Sequence, residues 1–302
     1  MTIPLSAMQS GALERHRDTL SLRVLGVGVR IRYAEAWARP LLMTHYGEMR
    51  RPLDRADLTY TVARPNGRLR LVGDGGGALT APDPGALVLR LDQDLIVQLQ
   101  KRRPDLYFVH AGVLAFAGKA FMLVAPSGGG KSTTVWGLVH HGFRYLSDEL
   151  GPIDLRAVTV QPYPRALTLK RMPPRSYPLP PRTLSTSRGF HIPTEAIVSG
   201  VCATAVPVTA IFFLHYTPGA PGPSVERIGV AQAAARLYAN VLNALAHPEE
   251  GLDGALRIAG RTACFDVSTA DLAATCAVVK ATLDGLPRAQ PPGQDRRPSC
   301  RW

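Results

Sequence analysis

Residues 121–150 read FMLVAPSGGGKSTTVWGLVHHGFRYLSDEL, and no other stretch narrows the possible folds as far. An apolar strand-like run, FMLVA, breaks into three glycines and a Lys-Ser, and a helical pattern, KSTTVWGLVHH, follows at once. The spacing from Ala125 to Ser132 fits a phosphate loop with alanine in place of its first glycine. Gly128, Gly129 and Gly130 lack the Cβ atoms that would keep backbone N–H groups from converging on an anion. A helix starting near Lys131 aims its positive end at the same place. Ser127, Gly128, Gly129, Gly130, Lys131, Ser132 and Thr133 are therefore the expected nucleotide cradle. Lys131 would reach the outer phosphates and the Ser132 hydroxyl would hold Mg²⁺. Ala125 is a harmless departure unless its backbone must take a positive φ. Gly142 marks the end of the helix.

After Gly142 the run FRYLS leads straight into Asp148-Glu149. One helix and one strand separate these acids from Lys131, which places them at the C-terminal end of the next strand, beside the loop. The plainer alternative is a helix N-cap with a solvated neighbour. The later apolar strand, VTAIFFLHY, ends in His215-Tyr216 without an acid. There is no LSGGQ-like segment of a transporter ATPase and no guanine-specific N-K-x-D.

The remainder of the chain reads as α/β. Short strand-like runs at SLRVLGVGVRIRY, DLTYTVA, RLRLVG and ALVLRL are punctuated by RPNGR and GDGGG. They make a small β-rich part over 1–104, closed by a helix at DQDLIVQLQKRR that Pro104 stops. A larger domain over 105–286 opens with LYFVHAGVLAFAG and KAFMLVA, two neighbouring strands turning at Gly118. GPIDLRAVTVQPYPRALTLK is strand-like, and the Pro/Arg/Ser-rich 173–194, with Arg175, Arg182 and Arg188, reads as a long loop or lid. Residues 196–215 read as two buried strand segments around a turn rather than a bilayer helix, since Ser199, Gly200, Thr204, Pro207 and Thr209 interrupt them. Residues 229–247 show a helical stripe through Ala234, Leu237, Val241 and Leu245. TACFDV and TADLAATCAVVKATLDGL give a last strand and helix, and 287–302 is a polar, proline-rich tail expected to be disordered.

Composition excludes several classes. The formal charge of +12 comes almost wholly from arginine, with only five lysines, and the arginines are scattered. A nucleic-acid face would need clustering, so no nucleic-acid partner is expected, while an anionic substrate is compatible. Cys202, Cys264, Cys276 and Cys300 form no C-x-x-C pair, which reads as core thiols in a reducing cytoplasm. The first twenty residues lack a basic start and long apolar stretch, so no signal peptide and no membrane anchorage are expected.

The segment APSGGGKSTTVWGLVHHGFRYLSDE resembles the core of the HPr kinase/phosphorylase family and its HPr-kinase-related members. The likeness extends upstream to VHAGVLAFAGKAFMLVAPSG, where those proteins carry a histidine ahead of the loop; it is close over 107–150 and loose beyond. The resemblance implies a fold shared with phosphoenolpyruvate carboxykinases. It also implies transfer of the γ-phosphoryl of ATP to a serine hydroxyl on a protein or peptide. By that resemblance Asp148 would be the general base and Glu149 a metal ligand with Ser132. His110 would face the phosphates, and Lys131 would act with them in catalysis. The second acid is Glu here and Asp in the typical family member, so the split between base and ligand stays open. The downstream glycine-rich segment with its arginine is absent, so phosphorylase activity is not implied, and HPr or a precursor peptide remain alternative acceptors. An ATP-binding regulatory protein without transfer activity and a small-molecule kinase are the competing readings. A homo-oligomer stays open.

Further residues read either way. Arg165 and Lys170, on PYPRALTLK, suit phosphate or substrate contact, or the charged ends of an edge strand. His110 suits the site or a satisfied structural position. Trp136 reads as core rather than a base platform, and His140 and His141 as helix-end residues.

Overall fold

The computed structural model describes residues 18–74, 77–217 and 219–286. The amino-terminal segment, the tail expected to be disordered and Cys300 lie outside the described residues.

The first unit is a five-stranded sheet whose strands alternate buried and outward side chains. β1 (Asp18–Val24) buries Leu20, Leu22 and Val24, and β2 (Val27–Tyr33) buries Val27, Val29, Ile31 and Tyr33. That period of two marks a sheet with one packed face. β3 (Leu58–Ala63), β4 (Leu69–Gly73) and β5 (Ala78–Ala81) complete it in sequence order; β2 and β3 run parallel, the other pairs antiparallel. Two helices share its core through Leu42, Tyr46, Leu87, Leu91, Leu95 and Leu99. They are α1 (Ala38–Tyr46) and α2 (Pro84–Arg102).

ALVLRL is not a strand, contrary to the sequence reading. It forms the first half of α2, because the Asp83 carboxylate accepts the Ala86 N–H at 2.8 Å and Pro84 occupies the first turn.

The second unit is built on a nine-stranded mixed sheet. β6 (Leu106–His110), β10 (Leu150–Asp154), β11 (Thr159–Val160), β15 (Val206–Tyr216), β8 (Lys119–Val124), β7 (Gly112–Phe116) and β9 (Arg144–Ser147) follow in that spatial order. β17 (Ala263–Thr269) also pairs with β15, in parallel, and β16 (Ser224–Arg227) with β17. β8 and β15 are buried on both faces, so their sequences read as continuous apolar runs. Along β8, Ala120, Met122 and Val124 face one core with α4 (Val230–Tyr238) and α5 (Leu252–Arg261). Phe121 and Leu123 face the other, with α3 (Lys131–His140) and α6 (Leu272–Asp284). The architecture is mixed α/β.

Three further readings change. Residues 229–247 are not one helix. α4 ends at Tyr238, and Asn243 turns the chain by accepting the Phe108 N–H at 2.9 Å and donating to the Leu106 carbonyl at 2.8 Å. The segment thereby flanks β6, through a Val241–Val109 bridge, and leaves Leu245 86% exposed. Residues 196–215 contain one strand, β15, which begins only at Val206; ahead of it Val201 makes an isolated bridge to Tyr145. The 173–194 segment carries a hairpin, β13 (Leu184–Thr186) and β14 (Gly189–Ile192), sheeted with β12 (Leu167–Leu169). Trp136 is core, with its indole N–H on the Tyr177 carbonyl at 3.0 Å.

Among the described residues no helix is long and apolar enough to cross a membrane. Cys202, Cys264 and Cys276 are free and buried.

Candidate functional site

The strand–loop–helix expected at 120–141 is present. β8 delivers the chain to Ala125, which is buried and whose φ is not positive, so its Cβ costs nothing there. Gly128 and Gly130 sit at φ +86° and +85°, where a side chain would be strained. A Cβ on Gly129 would stand 3.0 Å from the Ala125 Cβ and 3.1 Å from the Pro126 carbonyl oxygen. The backbone thus calls for glycine at 128 and 130, and a side chain at 129 would be tightly packed. α3 begins on Gly130 with no side-chain cap, and its first amide bonded back is Thr134 N–H to the Gly130 carbonyl, at 2.8 Å. The N–H groups of Lys131, Ser132 and Thr133 are left with no acceptor inside the helix and converge with its dipole on the loop. Ser127 is exposed beside them, and the Lys170 ammonium donates to its hydroxyl at 3.2 Å. Lys170 therefore joins the loop, as the sequence allowed. At the far end Gly142, at φ +85°, stops α3 as expected.

The acids lie between β9 and β10, not at the start of a helix, which removes the N-cap alternative. The Ser147 hydroxyl accepts the N–H groups of Glu149 at 3.2 Å and Leu150 at 3.0 Å and sets the turn. The two carboxylates then part. Asp148 is 1% exposed and fully engaged. Tyr145 donates its hydroxyl at 3.1 Å, Thr168 its N–H at 3.0 Å, and Arg165 stands 3.4 Å away. Glu149 is the accessible member, with a side chain 36% exposed. Its Oε2 accepts from Arg165 at 3.2 Å and its Oε1 lies 3.3 Å from His110 Nδ1.

His110, the last residue of β6, pairs across to Leu150 and so stands beside the acids. Its Nδ1 is 3.1 Å from the Glu149 carbonyl, and its Nε2 is 2.5 Å from Lys131 Nζ. Those partners assign the tautomer: Nδ1 donates and Nε2 accepts from the ammonium. Burial, then the Lys131 charge, pushes His110 below its ordinary pKa and keeps the ring neutral. Burial lowers Lys131 to about 8, against the pull of Glu149 and Asp148. For Glu149, burial would raise the carboxyl, but Arg165, His110 and Lys131 outweigh it and hold it below the usual carboxylate range. A continuous chain of contacts thus runs Arg165–Glu149–His110–Lys131 into the loop.

Arg165 is where sequence reasoning fell short. It is 6% exposed, not a charged strand end, and three carboxylates surround it: Asp148, Glu149 and, at 3.5 Å, Asp92 of α2. Burial would depress the guanidinium, but Asp148, Asp92 and Glu149 hold it charged. Asp92, Tyr145, Thr168 and His191 were also not anticipated. Asp92 carried a legible signal, since it sits on the apolar face that Val88, Leu91, Leu95 and Leu99 define.

A nucleotide fits these residues, because the glycine turn leads directly into an uncapped helix start whose free N–H groups suit a phosphate. Among the described residues no group of three or more His, Cys, Asp or Glu could hold a metal ion. A hard cation held by one hydroxyl, one carboxylate and substrate oxygens matches Mg²⁺ habits better than those of a dedicated metal cage.

No protein-family model matches the chain, and no curated protein sequence matches it. Among solved structures the chain is similar to the Hpr(Ser) kinase/phosphatase from Coxiella burnetii, at 10% identity and a TM-score of 0.30, over 59% of this chain and 99% of that one.

Proposed function

We propose that this chain is an ATP- and Mg²⁺-dependent kinase that transfers the γ-phosphoryl of ATP to a serine hydroxyl on a protein or peptide. The observation that carries the reading is the accessible Glu149 carboxylate, tied through His110 to Lys131 at the start of an uncapped helix. Phosphoryl transfer asks a protein for charge at the phosphate, a metal site and an oriented nucleophile, and little covalent work. The loop amides, Lys131 and Lys170 supply positive charge. Ser132 and Glu149 are the groups that would hold Mg²⁺, which when bound neutralises charge developing on the phosphate oxygens.

The base falls to Glu149 rather than to Asp148. Asp148 is out of solvent reach, whereas Glu149, although its oxygens also meet Arg165 and His110, presents an ionised carboxylate at the cleft surface. In this assignment Glu149 has both roles, beside the metal and as the group that accepts the serine proton as the serine oxygen takes the phosphoryl. Neutral His110 holds Lys131 in place by accepting its hydrogen bond. Asp148 anchors Arg165 and the Thr168 strand.

The test uses γ-labelled ATP with Mg²⁺ and a lysate of the source cells. Acid-stable label on serine is expected. Glu149→Gln should lower transfer about 10²–10⁴-fold in a chain that stays folded, with a smaller stability cost than Asp148→Asn because Glu149 is the more exposed partner of Arg165. Asp148→Asn should chiefly cost stability, about 3–5 kcal/mol, because it strips one partner from a buried ion pair. A wild-type chain that binds ATP and labels nothing would leave a nucleotide-binding protein without transfer. Label on a small molecule would redirect the acceptor class. Wild-type transfer by Glu149→Gln would remove Glu149 as base.

A further inference from the structure

Arg165 is held from behind by a residue of the other unit. Asp92 lies on the buried face of α2, 6% exposed, where a lone carboxylate would be costly. It has two partners. Tyr46, at the end of α1, donates its hydroxyl to Oδ1, and Arg165 Nη1 stands 3.5 Å from Oδ2. Arg165 belongs to the connection between β11 and β12 of the second unit, and its Nη2 is the nitrogen facing Asp148 and Glu149. Nη1 also reaches Thr168 Oγ1 at 3.3 Å and the Ala166 carbonyl at 3.4 Å, so Asp92 is its charged partner rather than its sole one. A guanidinium is planar and rigid, so what acts on Nη1 acts on Nη2.

Three carboxylates therefore share one cation, and their division of it sets where Glu149 rests. With Asp92 in place, Arg165 meets a carboxylate on either side, and on Glu149 it takes Oε2 while Oε1 lies on the His110 side. Without Asp92 the cation has carboxylates only on its other edge. It shifts toward them and draws Glu149 off the His110–Lys131 line.

We propose that Asp92, braced by Tyr46, is a positioning residue for the Glu149 carboxylate, so that the first unit sets the geometry at which the second meets metal-bound nucleotide. The inference rests on the reading that Glu149 serves Mg²⁺-nucleotide, and its test is chosen so that the two can fail separately.

The full chain is titrated with a fluorescent ATP analogue, with and without Mg²⁺, and ATP turnover is followed in parallel. Asp92→Asn keeps the shape and removes the charge. It is expected to bind the analogue without Mg²⁺ within about twofold of wild type. It should lose at least fivefold of the affinity that Mg²⁺ adds and at least tenfold in kcat, with KM little changed. Tyr46→Phe, a milder cut at the same brace, should move the same quantities in the same direction by about two- to fivefold, and it decides the matter if Asp92→Asn does not fold. Asp94→Asn is the control. It removes a carboxylate from the same helix that accepts from the Tyr60 hydroxyl, at 2.6 Å, and should leave both readouts unchanged.

The inference is overturned if the Asp92 variant folds and keeps the wild-type Mg²⁺ gain, or if it loses affinity equally with and without Mg²⁺, which marks a purely structural role. It is overturned also if wild type shows no Mg²⁺ gain. A wild-type chain that shows the gain but turns over no ATP sinks the transfer reading alone. In that case loss of the gain in Asp92→Asn still supports the positioning role.

Discussion

His45 and His191 show at single-residue scale how the buried charge of Arg165 is tolerated. Their rings lie 4.6 Å apart, and both are nearly sealed from solvent. His191 holds Thr168 Oγ1 at 3.3 Å and Thr186 Oγ1 at 2.7 Å. His45 has no side-chain hydrogen-bond partner at either nitrogen. Burial, reinforced by Arg165, lowers His191 to about 4, and burial, His191 and Arg165 lower His45 in the same direction. Both rings are therefore neutral in the folded chain and add no charge beside the guanidinium. The sign for stability follows. Below about pH 6.5 the unfolded chain takes up protons that the folded chain refuses, so stability falls with pH through the window from about 6.5 down to about 4. Each such histidine contributes up to about 1.4 kcal/mol per pH unit. Replacing His45 by leucine removes one of them together with two unpaired ring nitrogens. At pH 7 His45→Leu should leave stability unchanged or raise it by about 1 kcal/mol. It should lessen the loss between about pH 6.5 and 4.5 by His45's own share, with His191 and His110 keeping theirs. Urea unfolding at several pH values measures both, and an unaltered slope would exclude His45 as a source of acid sensitivity.

At the scale of elements, the decisive contact is between the loop helix α3 and the last helix α6. A Cβ on Gly137 would come within 2.6 Å of Cys276 Sγ and 2.9 Å of Leu272 Cδ1. Two opposing effects then compete in Gly137→Ala. Helix propensity favours alanine by about 1 kcal/mol, while overpacking a filled interface costs about 1–3 kcal/mol. The clash should win, giving a net loss. Cys276→Ala opens the opposing surface, so the double variant should recover more than the two single effects predict, by about 1 kcal/mol or more. Strict additivity in a thermal or denaturant cycle would show that the helices adjust freely.

This closeness explains which elements were legible. The stretch from Lys119 to Glu149 announces itself because loop, helix and acid-bearing turn are neighbours in sequence, each with its own local signal. What escaped depended on distant partners. Arg165 looks like any surface arginine until Asp92, Asp148 and Glu149 are brought round it from three segments. The end of α4 is set by Asn243 reaching the β6 backbone, which no local propensity records. ALVLRL is a short apolar run that can pass for a strand, although Asp83-Pro84 before it is a helix start.

For the whole molecule, β6 decides whether the two units can be separated. Its side chains alternate between two cores. Leu106 and Phe108 enter the core of the five-stranded unit, and Tyr107 and Val109 enter a core of the nine-stranded one. Leu150 and Tyr163, also from the second unit, lie in the first core with them. A boundary at residue 104, natural from the sequence, therefore cuts through one packed core. A fragment over 105–302 would expose Leu106, Phe108, Leu150 and Tyr163, all at most 2% exposed in the full chain. Burial of each such side chain is worth about 1.5–3 kcal/mol, against a net stability of about 5–15 kcal/mol for an entire domain. The same cut removes Asp92 from Arg165. The fragment is expected to aggregate or to bind a hydrophobic dye without a cooperative melt, and to show no Mg²⁺-dependent gain in nucleotide affinity. The full chain is expected to melt in one transition, since its two sheets share these side chains. Calorimetry on both forms is the measurement. Two separate transitions in the full chain, or a fragment melting at the full-length temperature, would show that the first unit is an appendage and that Asp92 braces nothing the second unit needs.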